Sequence, residues 1–586
     1  MFKLLKKMKS IDWLYVAICV AFIFVQVWLD MTMPTYMNEI TRLVQTSGSE
    51  MIEVLKAGGM MLLCALGSVC AAVVTAIFSA RIGSDLGWSL RGSLFKKVQT
   101  FSMEEIGRFS TASLITRSTN DIQQVLMFIV MGLQMLIKAP ITAIWAICKI
   151  SGQHWQWSLA TIIGVVVVLA VVGICLCLAF PKIRKMQKLT DDLNRVTREN
   201  LNGLRVVRAY NAEGYQEEKF EKANDSLTKT QLFSQRAMAF MMPTMQLVMS
   251  GLSLAVYWIG AYLLNQTPMG IERINLYGDM MVFSMYGIQI VMAFMMLVMT
   301  FMMLPRASVS AKRINEVLDT VPSIKDGTEP DGKKGHVGEI VFNHVSFRYP
   351  DAEEEVLHDV SFTAKQGETV AFIGSTGCGK STVINLIPRF YDVTDGEILV
   401  DGVNVKEYNE CALRNKIAYV SQKATLFSGT VRSNIAFGDN GRSEPSEAQI
   451  ADAVETAQAK EFVEGLENTY DGYVAQGGTN FSGGQKQRLS IARAVARNAE
   501  IMIFDDSFSA LDYKTDKLLR KKLGEKCGNV TRLIVAQRIG TIRDADKIIV
   551  LDEGRVVGMG THDELINTCE TYQQIALSQL SKEELA

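Results

Sequence analysis

Long apolar runs in the first half of this chain constrain its fold more than any other feature. A segment that crosses a bilayer as a helix needs ~20 mostly apolar residues. Six such segments occur, at residues 13–29, 60–80, 125–150, 157–180, 238–264 and 280–304. The third contains Pro140 and the fifth contains Pro243, which neighbouring transmembrane helices can accommodate. The first half is therefore predicted to be a membrane domain of six helices.

The connections between these runs alternate in length and charge. Residues 81–124 and 181–237 are long and rich in Lys and Arg, whereas 149–157 and 265–279 are short and poor in them. Excess basic residues mark the cytoplasmic side, so we expect the long connections and both chain ends in the cytoplasm. Apolar residues recur at near-helical spacing in 189–204, which predicts helical hairpins that extend beyond the membrane. Their tips, near 107–115 and 211–216, should contact the soluble half; ordinary solvated loops are the alternative.

The remaining segments complete a four-part organisation. Residues 1–10 mix lysine with apolar side chains, which indicates an interfacial amphipathic helix, with a signal peptide as the alternative. The membrane domain should occupy 11–310. A linker marked by Pro322, Gly327 and Pro330 is predicted at 311–336. A soluble α/β domain should follow at 337–586.

Two features of the apolar half bear on what it binds. The last two spans contain fourteen of the 30 methionines, and flexible Met side chains accept many apolar shapes. A polyspecific cavity is one interpretation, and lipid contact or core packing is the other. Asp30 is a candidate functional carboxylate at the end of the first span, where interfacial solvation is equally expected. The net charge of −1 gives no reason to expect nucleic-acid binding.

A phosphate-binding loop is the strongest motif in the second half. It comprises Gly374, Ser375, Thr376, Gly377, Cys378, Gly379, Lys380, Ser381 and Thr382. An apolar run at 369–373 precedes the motif as a predicted strand, and 383–387 continues as a helix, which is the context this motif requires. Backbone N–H groups would surround the phosphates of ATP, Lys380 would reach the outer phosphates, and Ser381 would ligate Mg²⁺.

A second predicted strand, 501–504, ends at Asp505, and such a carboxylate helps to hold Mg²⁺ beside a phosphate-binding loop. Between the two motifs lies the sequence Phe481-Ser482-Gly483-Gly484-Gln485. General phosphate chemistry does not demand this sequence, but it resembles the signature motif of ATP-binding cassette (ABC) proteins. The six spans, the linker and the cassette extend the resemblance over essentially the whole chain, and the family is that of six-span exporters.

The resemblance implies further site residues. Tyr349 matches the tyrosine that stacks on adenine, and Gln422 matches the glutamine that contacts Mg²⁺ and faces the transmembrane helices. Asp512 falls in the segment that resembles the D-loop. Two cassettes pair head to tail in this family, so Ser482 and the Gly483 and Gly484 amides would act on ATP held by a partner. A second half-transporter is therefore required.

Two positions depart from the family pattern. Asp506 stands where a catalytic glutamate is usual, and its carboxylate is roughly 1.5 Å, about one C–C bond, nearer the backbone. Gln537 stands where a histidine is usual, and its amide does not become cationic near neutral pH. An error of ~1 Å can cost about a hundredfold in rate. Together with a nearly regular signature motif, this resembles the degenerate-site subunit of bacterial heterodimeric multidrug exporters.

The predicted function is therefore export of hydrophobic or amphipathic small molecules by a heterodimer in the bacterial cytoplasmic membrane. The chain would bind ATP and Mg²⁺ and lend its signature motif to a catalytic partner. Lipid or peptide export and a slow homodimer are alternatives within transport. An ATP-gated channel or sensor is the alternative from another class. The six spans exclude soluble ABC proteins that act on ribosomes or DNA.

Overall fold

The computed structural model describes residues 2–46, 49–151, 155–268 and 270–579. Met1 of the predicted amphipathic segment and the last seven residues of the predicted soluble domain lie outside the described residues. The chain forms two compact units. The first comprises Met1–Gln99 and Ala112–Thr320, and the second comprises Thr100–Thr111 and Val321–Ala586.

The first unit is helical. The helices up to residue 319 are α1 (Phe2–Leu5), α2 (Ser10–Gln45), α3 (Met51–Gln99), α4 (Met103–Phe109), α5 (Thr111–Thr116), α6 (Ile122–Ile150), α7 (Trp155–Asn202), α8 (Leu204–Ala209), α9 (Glu213–Ala239), α10 (Met241–Gln266) and α11 (Ile271–Asp319). Of these, the short α4 and the start of α5 belong to the second unit. Within the described residues, six helical segments are long and apolar enough to cross a membrane. Five of them contain a whole predicted span, and the fourth, Trp155–Cys175, overlaps the predicted span 157–180. The predicted membrane fold is confirmed.

The helices run well past the apolar segments, as the helical periodicity predicts. At 1.5 Å per residue, α3 and α11 extend on the order of 70 Å. The first tip is the helix α4, which begins before the predicted 107–115 because Ser102 caps it. The second tip comprises α8 and the turn to α9, and this turn at 210–212 overlaps the start of the predicted 211–216. The helix is interrupted at Phe240, between α9 and α10, because Pro243 has no N–H to donate to the Ala239 carbonyl.

Methionines of the last two spans divide between two environments. Met241, Met245 and Met280 are buried in the core of the helical unit. Met242 and Met285 are exposed. Core packing therefore accounts for part of the methionine enrichment, and the exposed side chains are available to lipid or to a ligand. Asp30 lies well inside α2 because this helix continues to Gln45, and it pairs with Lys138 of α6.

The expected linker is partly helical. Helix α11 continues to Asp319, because Ile314 and Val317 extend its buried face and neither proline nor glycine interrupts 306–319. The chain leaves the helix before Pro322 and joins α4 within the second unit. There the Glu105 carboxylate accepts hydrogen bonds from the Ser323 amide at 2.8 Å and the Ser102 amide at 2.8 Å. The first tip therefore packs on the soluble unit, as expected.

The second unit contains a mixed arrangement of strands and helices. Its strands are β1 (Ile340–Phe347), β2 (Leu357–Ala364), β3 (Thr369–Gly374), β4 (Asp395–Val400), β5 (Val403–Asn404), β6 (Ile417–Val420), β7 (Gly429–Thr430), β8 (Tyr473–Val474), β9 (Ile501–Asp505), β10 (Thr531–Val535), β11 (Lys547–Asp552) and β12 (Arg555–Gly560). Its further helices are α12 (Lys380–Leu386), α13 (Glu410–Asn415), α14 (Val431–Ile435), α15 (Glu447–Thr456), α16 (Lys460–Glu464), α17 (Gly483–Ala496), α18 (Tyr513–Lys526), α19 (Ile539–Ile542), α20 (His562–Thr568) and α21 (Glu570–Gln579).

The sheet order places the predicted motifs side by side. The main sheet has the order β12-β11-β3-β10-β9-β6, in which β11, β3, β10, β9 and β6 run parallel. A second, antiparallel sheet has the order β2-β1-β4-β5. The central strands β3 and β9 are apolar except at Thr369 and Asp505, as is typical of parallel strands covered on both faces. The carboxyl ends of β3, β9, β10 and β6 therefore meet at one edge, where open α/β sheets bind ligands.

Candidate functional site

The phosphate-binding loop connects β3 to α12, as predicted. Gly374 has no room for a side chain, because a Cβ there would lie 2.0 Å from the Leu551 carbonyl oxygen. Gly379 adopts φ +97°, a left-handed conformation that favours glycine, immediately before α12. The backbone N–H groups of the loop therefore lie at the N-terminus of α12, which is a favourable position for anions.

Lys380 folds back over this loop. Its Nζ donates to the Gly374 carbonyl at 2.9 Å and to the Ser375 carbonyl at 2.7 Å. Charged phosphate oxygens are stronger acceptors than neutral carbonyls, so they can take over these hydrogen bonds. The ammonium is thus already positioned at the loop that would hold the phosphates.

Ser381 and Asp505 form the predicted metal-binding pair. The Ser381 hydroxyl donates to Asp505 Oδ1 at 2.8 Å. Burial raises the pKa of the Asp505 carboxyl, and the neighbouring Asp506 raises it further, against the hydrogen bond from Ser381. A hydroxyl and a carboxylate are the hard oxygen ligands that Mg²⁺ prefers. The described residues include no group of three or more His, Cys, Asp or Glu that could hold a metal.

Tyr419 is a neighbour of this pair to which the sequence assigned no role. Its hydroxyl donates to Asn385 Oδ1 at 2.9 Å and lies 3.5 Å from Asp505 Oδ2. Burial raises the pKa of the tyrosine, with a further contribution from the Asp505 carboxylate, so the phenol stays protonated near neutral pH. Its place at the end of β6, beside β9, is visible only from the strand order.

Tyr349 lies beside the phosphate-binding loop. Its hydroxyl is 3.1 Å from the Thr382 hydroxyl. The ring packs edge-on against Tyr391 and Phe347, with centroid distances of 5.2 and 4.8 Å. The ring is thus fixed beside the phosphate-binding loop, while adenine stacking by Tyr349 stays a prediction.

The two departures from the family pattern are in direct contact. Asp506 follows β9, adopts φ +45°, and donates its amide to the Val535 carbonyl at the end of β10. Its Oδ2 accepts a hydrogen bond from Gln537 Nε2 at 2.9 Å and another from Gln422 Nε2 at 3.1 Å. The carboxylate is almost fully buried. Oδ2 of Asp506 therefore accepts hydrogen bonds from two amides. One belongs to Gln537, at the position where histidine is usual, and the other to Gln422, which is predicted to contact Mg²⁺.

Gln579 of helix α21 holds the loop that carries Gln537. The Gln579 side chain of α21 donates to the Gln537 carbonyl at 2.7 Å and accepts from the Ile539 amide at 2.9 Å. Tyr572 and Ala576 bury the same helix in the core. Sequence analysis missed Gln579, because nothing in a short polar helix indicates which backbone it will contact.

The signature motif begins helix α17. Ser482 is the N-cap, and its side chain and that of Gln485 form reciprocal hydrogen bonds with each other's backbone amides. Phe481, which replaces a common leucine, is buried against Phe462 at a centroid distance of 6.3 Å. The Gly483 and Gly484 amides thus lie at the start of a 14-residue helix, a favourable position for phosphate. Among the described residues, the hydrogen bonds of the Ser482 and Gln485 side chains join these two residues to each other.

Asp512 lies at the start of α18, where its side chain contacts the helix backbone. It caps α18 by accepting from the Thr515 amide at 3.0 Å, and this backbone hydrogen bond lowers the pKa of the exposed carboxyl. The side chain does not join Asp506, Gln537 and Gln422. Its role in catalysis stays a prediction.

Comparisons with known proteins cover both halves of the chain. The family model described as "ABC transporter" matches residues 357–509, and that described as "ABC transporter transmembrane region" matches residues 16–294. An uncharacterised ABC transporter ATP-binding protein of Mycobacterium tuberculosis (strain ATCC 25618 / H37Rv) is 41% identical over 89% of this chain and 87% of its own length. An ATP-dependent lipid A-core flippase of Pseudomonas putida is 32% identical over 83% of this chain and 79% of its own.

A solved structure gives the same picture of the fold. The structure of a bacterial Atm1-family ABC exporter with ATP bound matches with a TM-score of 0.80, covering 97% of this chain and 99% of that one. At 24% identity this likeness concerns the fold alone.

Proposed function

This chain belongs to the ABC transporter family and has the fold of its six-span exporters, and on that premise we propose that it is the degenerate-site half of a heterodimeric exporter. Its own site binds ATP with Mg²⁺ and hydrolyses it poorly. Its signature motif completes the hydrolysing site of a partner half that carries Glu and His at the two altered positions. We further propose that both chain ends and the ATP site lie in the cytoplasm, because the long connections 81–124 and 181–237 are rich in Lys and Arg.

The hydrogen bonds at Asp506 carry this proposal. A carboxylate that activates water must direct an oxygen at that water and accept its proton. Here Oδ2 of a side chain already one methylene too short accepts from both Gln537 and Gln422. Neither amide supplies the positive charge that a protonated histidine gives to a developing phosphate anion. Binding groups such as Lys380 and Ser381 keep their expected positions, so loss of hydrolysis need not weaken binding.

We propose hydrophobic or amphipathic small molecules as the transported class. The exposed methionines of α10 and α11, among them Met242, Met285 and Met299, support it, since unbranched thioethers adapt to varied apolar shapes. Lipid transport is a second candidate, because a lipid A-core flippase is among the similar proteins. Stimulation of ATP hydrolysis by added drugs but not by added lipid would favour the first.

ATP hydrolysis by the purified chain tests the degenerate site. We expect slow phosphate release from the chain alone and brisk release after co-purification with a partner half. ATP binding by the chain alone should be retained. Brisk hydrolysis by the chain alone that Asp506→Ala abolishes would instead establish a catalytic homodimer and overturn the proposal.

A further inference from the structure

One charged side chain lies deep in the apolar half of the chain. Among the Asp, Glu, Lys and Arg residues of the six predicted spans, only Lys138 and Lys149 occur, and Lys149 is next to the end of its span. Lys138 is near the middle of span 125–150 and inside α6. Because a charge inside a bilayer is costly, it is a functional candidate by default, and its partners indicate what it can bind.

Lys138 pairs with a carboxylate of α2, which in turn contacts a serine of α3. Its Nζ lies 3.3 Å from Asp30 Oδ2 on α2. The Ser68 hydroxyl on α3 donates to the other Asp30 oxygen, Oδ1. Both oxygens of Asp30 are therefore engaged. The ammonium carries three donors, and among the described residues Asp30 is its polar partner, so two N–H groups remain available.

This ion pair is also accessible. The Lys138 and Asp30 side chains are 27% and 24% exposed. The Trp157 indole in the same unit gives a contrast, because it is buried and donates to the Val256 carbonyl at 3.1 Å. If the Lys138–Asp30 pair served only to join helices, we would expect it to be buried in the same way. Lys138 instead combines free donors with an open approach.

We infer that Lys138, paired with Asp30, binds the anionic group of an amphipathic molecule, such as a carboxylate, sulfonate or phosphate ester. An anion suits the ammonium because two of its N–H groups have no acceptor among the described residues, and charged oxygens are strong acceptors for them. The apolar part of the ligand would lie against Ile137, Ile141 and the Phe24–Trp145 ring pair. The headgroup of a bilayer lipid and a free amphiphile share this chemistry. That the bound molecule is transported rests on the proposed function; the binding does not.

Binding of three matched probes tests the site directly. The full chain is placed in phosphatidylcholine nanodiscs without ATP, and quenching of tryptophan fluorescence is measured with pyrenebutanoate, pyrenebutanol and a pyrenebutyl trimethylammonium salt. We expect Lys138→Met to weaken binding of the anion about tenfold and to leave the neutral and cationic probes unchanged. Lys149→Met, on the same helix, should change none of the three.

Two further variants separate binding from helix packing. Asp30→Asn removes the competing carboxylate, so the anion should bind more tightly. The exchange Asp30→Lys with Lys138→Asp keeps an ion pair between α2 and α6 and should still lose the preference for the anion. Equal loss of all three probes in Lys138→Met, or an unchanged preference in the exchanged protein, would overturn the inference.

Lipid composition distinguishes the two sources of the anion. If a lipid headgroup occupies the site, nanodiscs containing phosphatidylglycerol should weaken pyrenebutanoate binding to the wild-type chain but not to Lys138→Met. If free amphiphiles occupy it, phosphatidylglycerol should have no effect while the Lys138→Met loss remains. These measurements use no ATP. A failed inference would therefore appear in probe binding, and a failed degenerate-site proposal would appear in phosphate release.

Discussion

Asp506 and Gln537 are 31 positions apart in the sequence and act as one hydrogen-bonded unit. In the sequence they are two separate departures from the family pattern. Asp506 has one methylene fewer than the usual glutamate, and Gln537 lacks the titratable ring of the usual histidine. In the structure, the amide that replaces the imidazole donates to the shortened carboxylate. Substitutions at residues in direct contact are generally not additive. Restoring one position alone therefore leaves the other poorly matched to it.

Restoring both residues should bring back hydrolysis. We expect Asp506→Glu with Gln537→His to raise phosphate release at this chain's own site by about tenfold or more, because the longer carboxylate reaches water and the imidazole can carry charge. Each single substitution should give clearly less than half of that gain. The measurement is single-turnover ATP hydrolysis in a complex whose partner site has been inactivated.

Additive gains from the two single substitutions would contradict the coupling. No gain from the double variant, with ATP binding retained, would mean that other features of the site limit hydrolysis.

At the scale of elements, α4 joins the soluble unit through one buried carboxylate. Burial alone would raise the pKa of Glu105, but hydrogen bonds from Ser102 and Ser323 outweigh it and lower the pKa. Since the folded-state pKa lies below the unfolded value, this carboxylate stabilises the fold fully above the ordinary glutamate pKa of about 4.3. The stabilisation is lost as the pH falls through the folded-state pKa.

Glu105→Gln should therefore destabilise the protein in a pH-dependent way. Near pH 7 we expect a loss of about 1–2 kcal/mol, because hydrogen bonds to a charged group are replaced by weaker ones. The difference from wild type should shrink as the pH is lowered below about 4.3. Thermal unfolding in detergent at several pH values measures it. Glu104→Gln on the same helix is the control, and an equal effect there would contradict the role of Glu105.

Helix α21 fixes the loop of Gln537 through Gln579. Gln579→Leu removes one donor and one acceptor and leaves the buried face at Tyr572 and Ala576 intact. Each lost hydrogen bond is worth about 1 kcal/mol, so we expect ATP to leave this chain's site several-fold faster, about threefold to tenfold. Gln574→Leu, which loses only a contact with Glu570 in the same helix, should not change the release rate. Similar release from both variants would contradict a positioning role for Gln579.

These elements show what the sequence could and could not predict. Apolar runs and the glycine-rich loop depend on local patterns, and they gave the six spans and the β3–α12 connection. The contacts that tune the site join distant positions: Gln579 with Gln537, Ser323 with Glu105, and Lys138 with Asp30. No periodicity carries such pairings, because they arise only when packing brings separate helices and strand ends together.

At the scale of the whole molecule, the phosphate-binding loop and the signature motif have unequal tasks. Each occupies its own element, α12 or α17, and among the described residues the Ser482 side chain bonds with Gln485. If two unlike halves pair head to tail, Lys380 serves the poorly hydrolysing site and Ser482 serves the partner's hydrolysing site. Damage to the two motifs of one chain should then have different consequences.

In the complex with the partner half, Lys380→Ala should lower ATP turnover by less than about tenfold, because the partner's site still hydrolyses. Ser482→Ala should lower it by about a hundredfold, the usual cost of removing a donor that stabilises transition-state charge. Ser482 also caps α17, and Ser446→Ala removes the same kind of capping box from α15, so it controls for the lost cap. A catalytic homodimer would lose turnover equally with Lys380→Ala and Ser482→Ala, and that result would remove the asymmetry on which the proposed function depends.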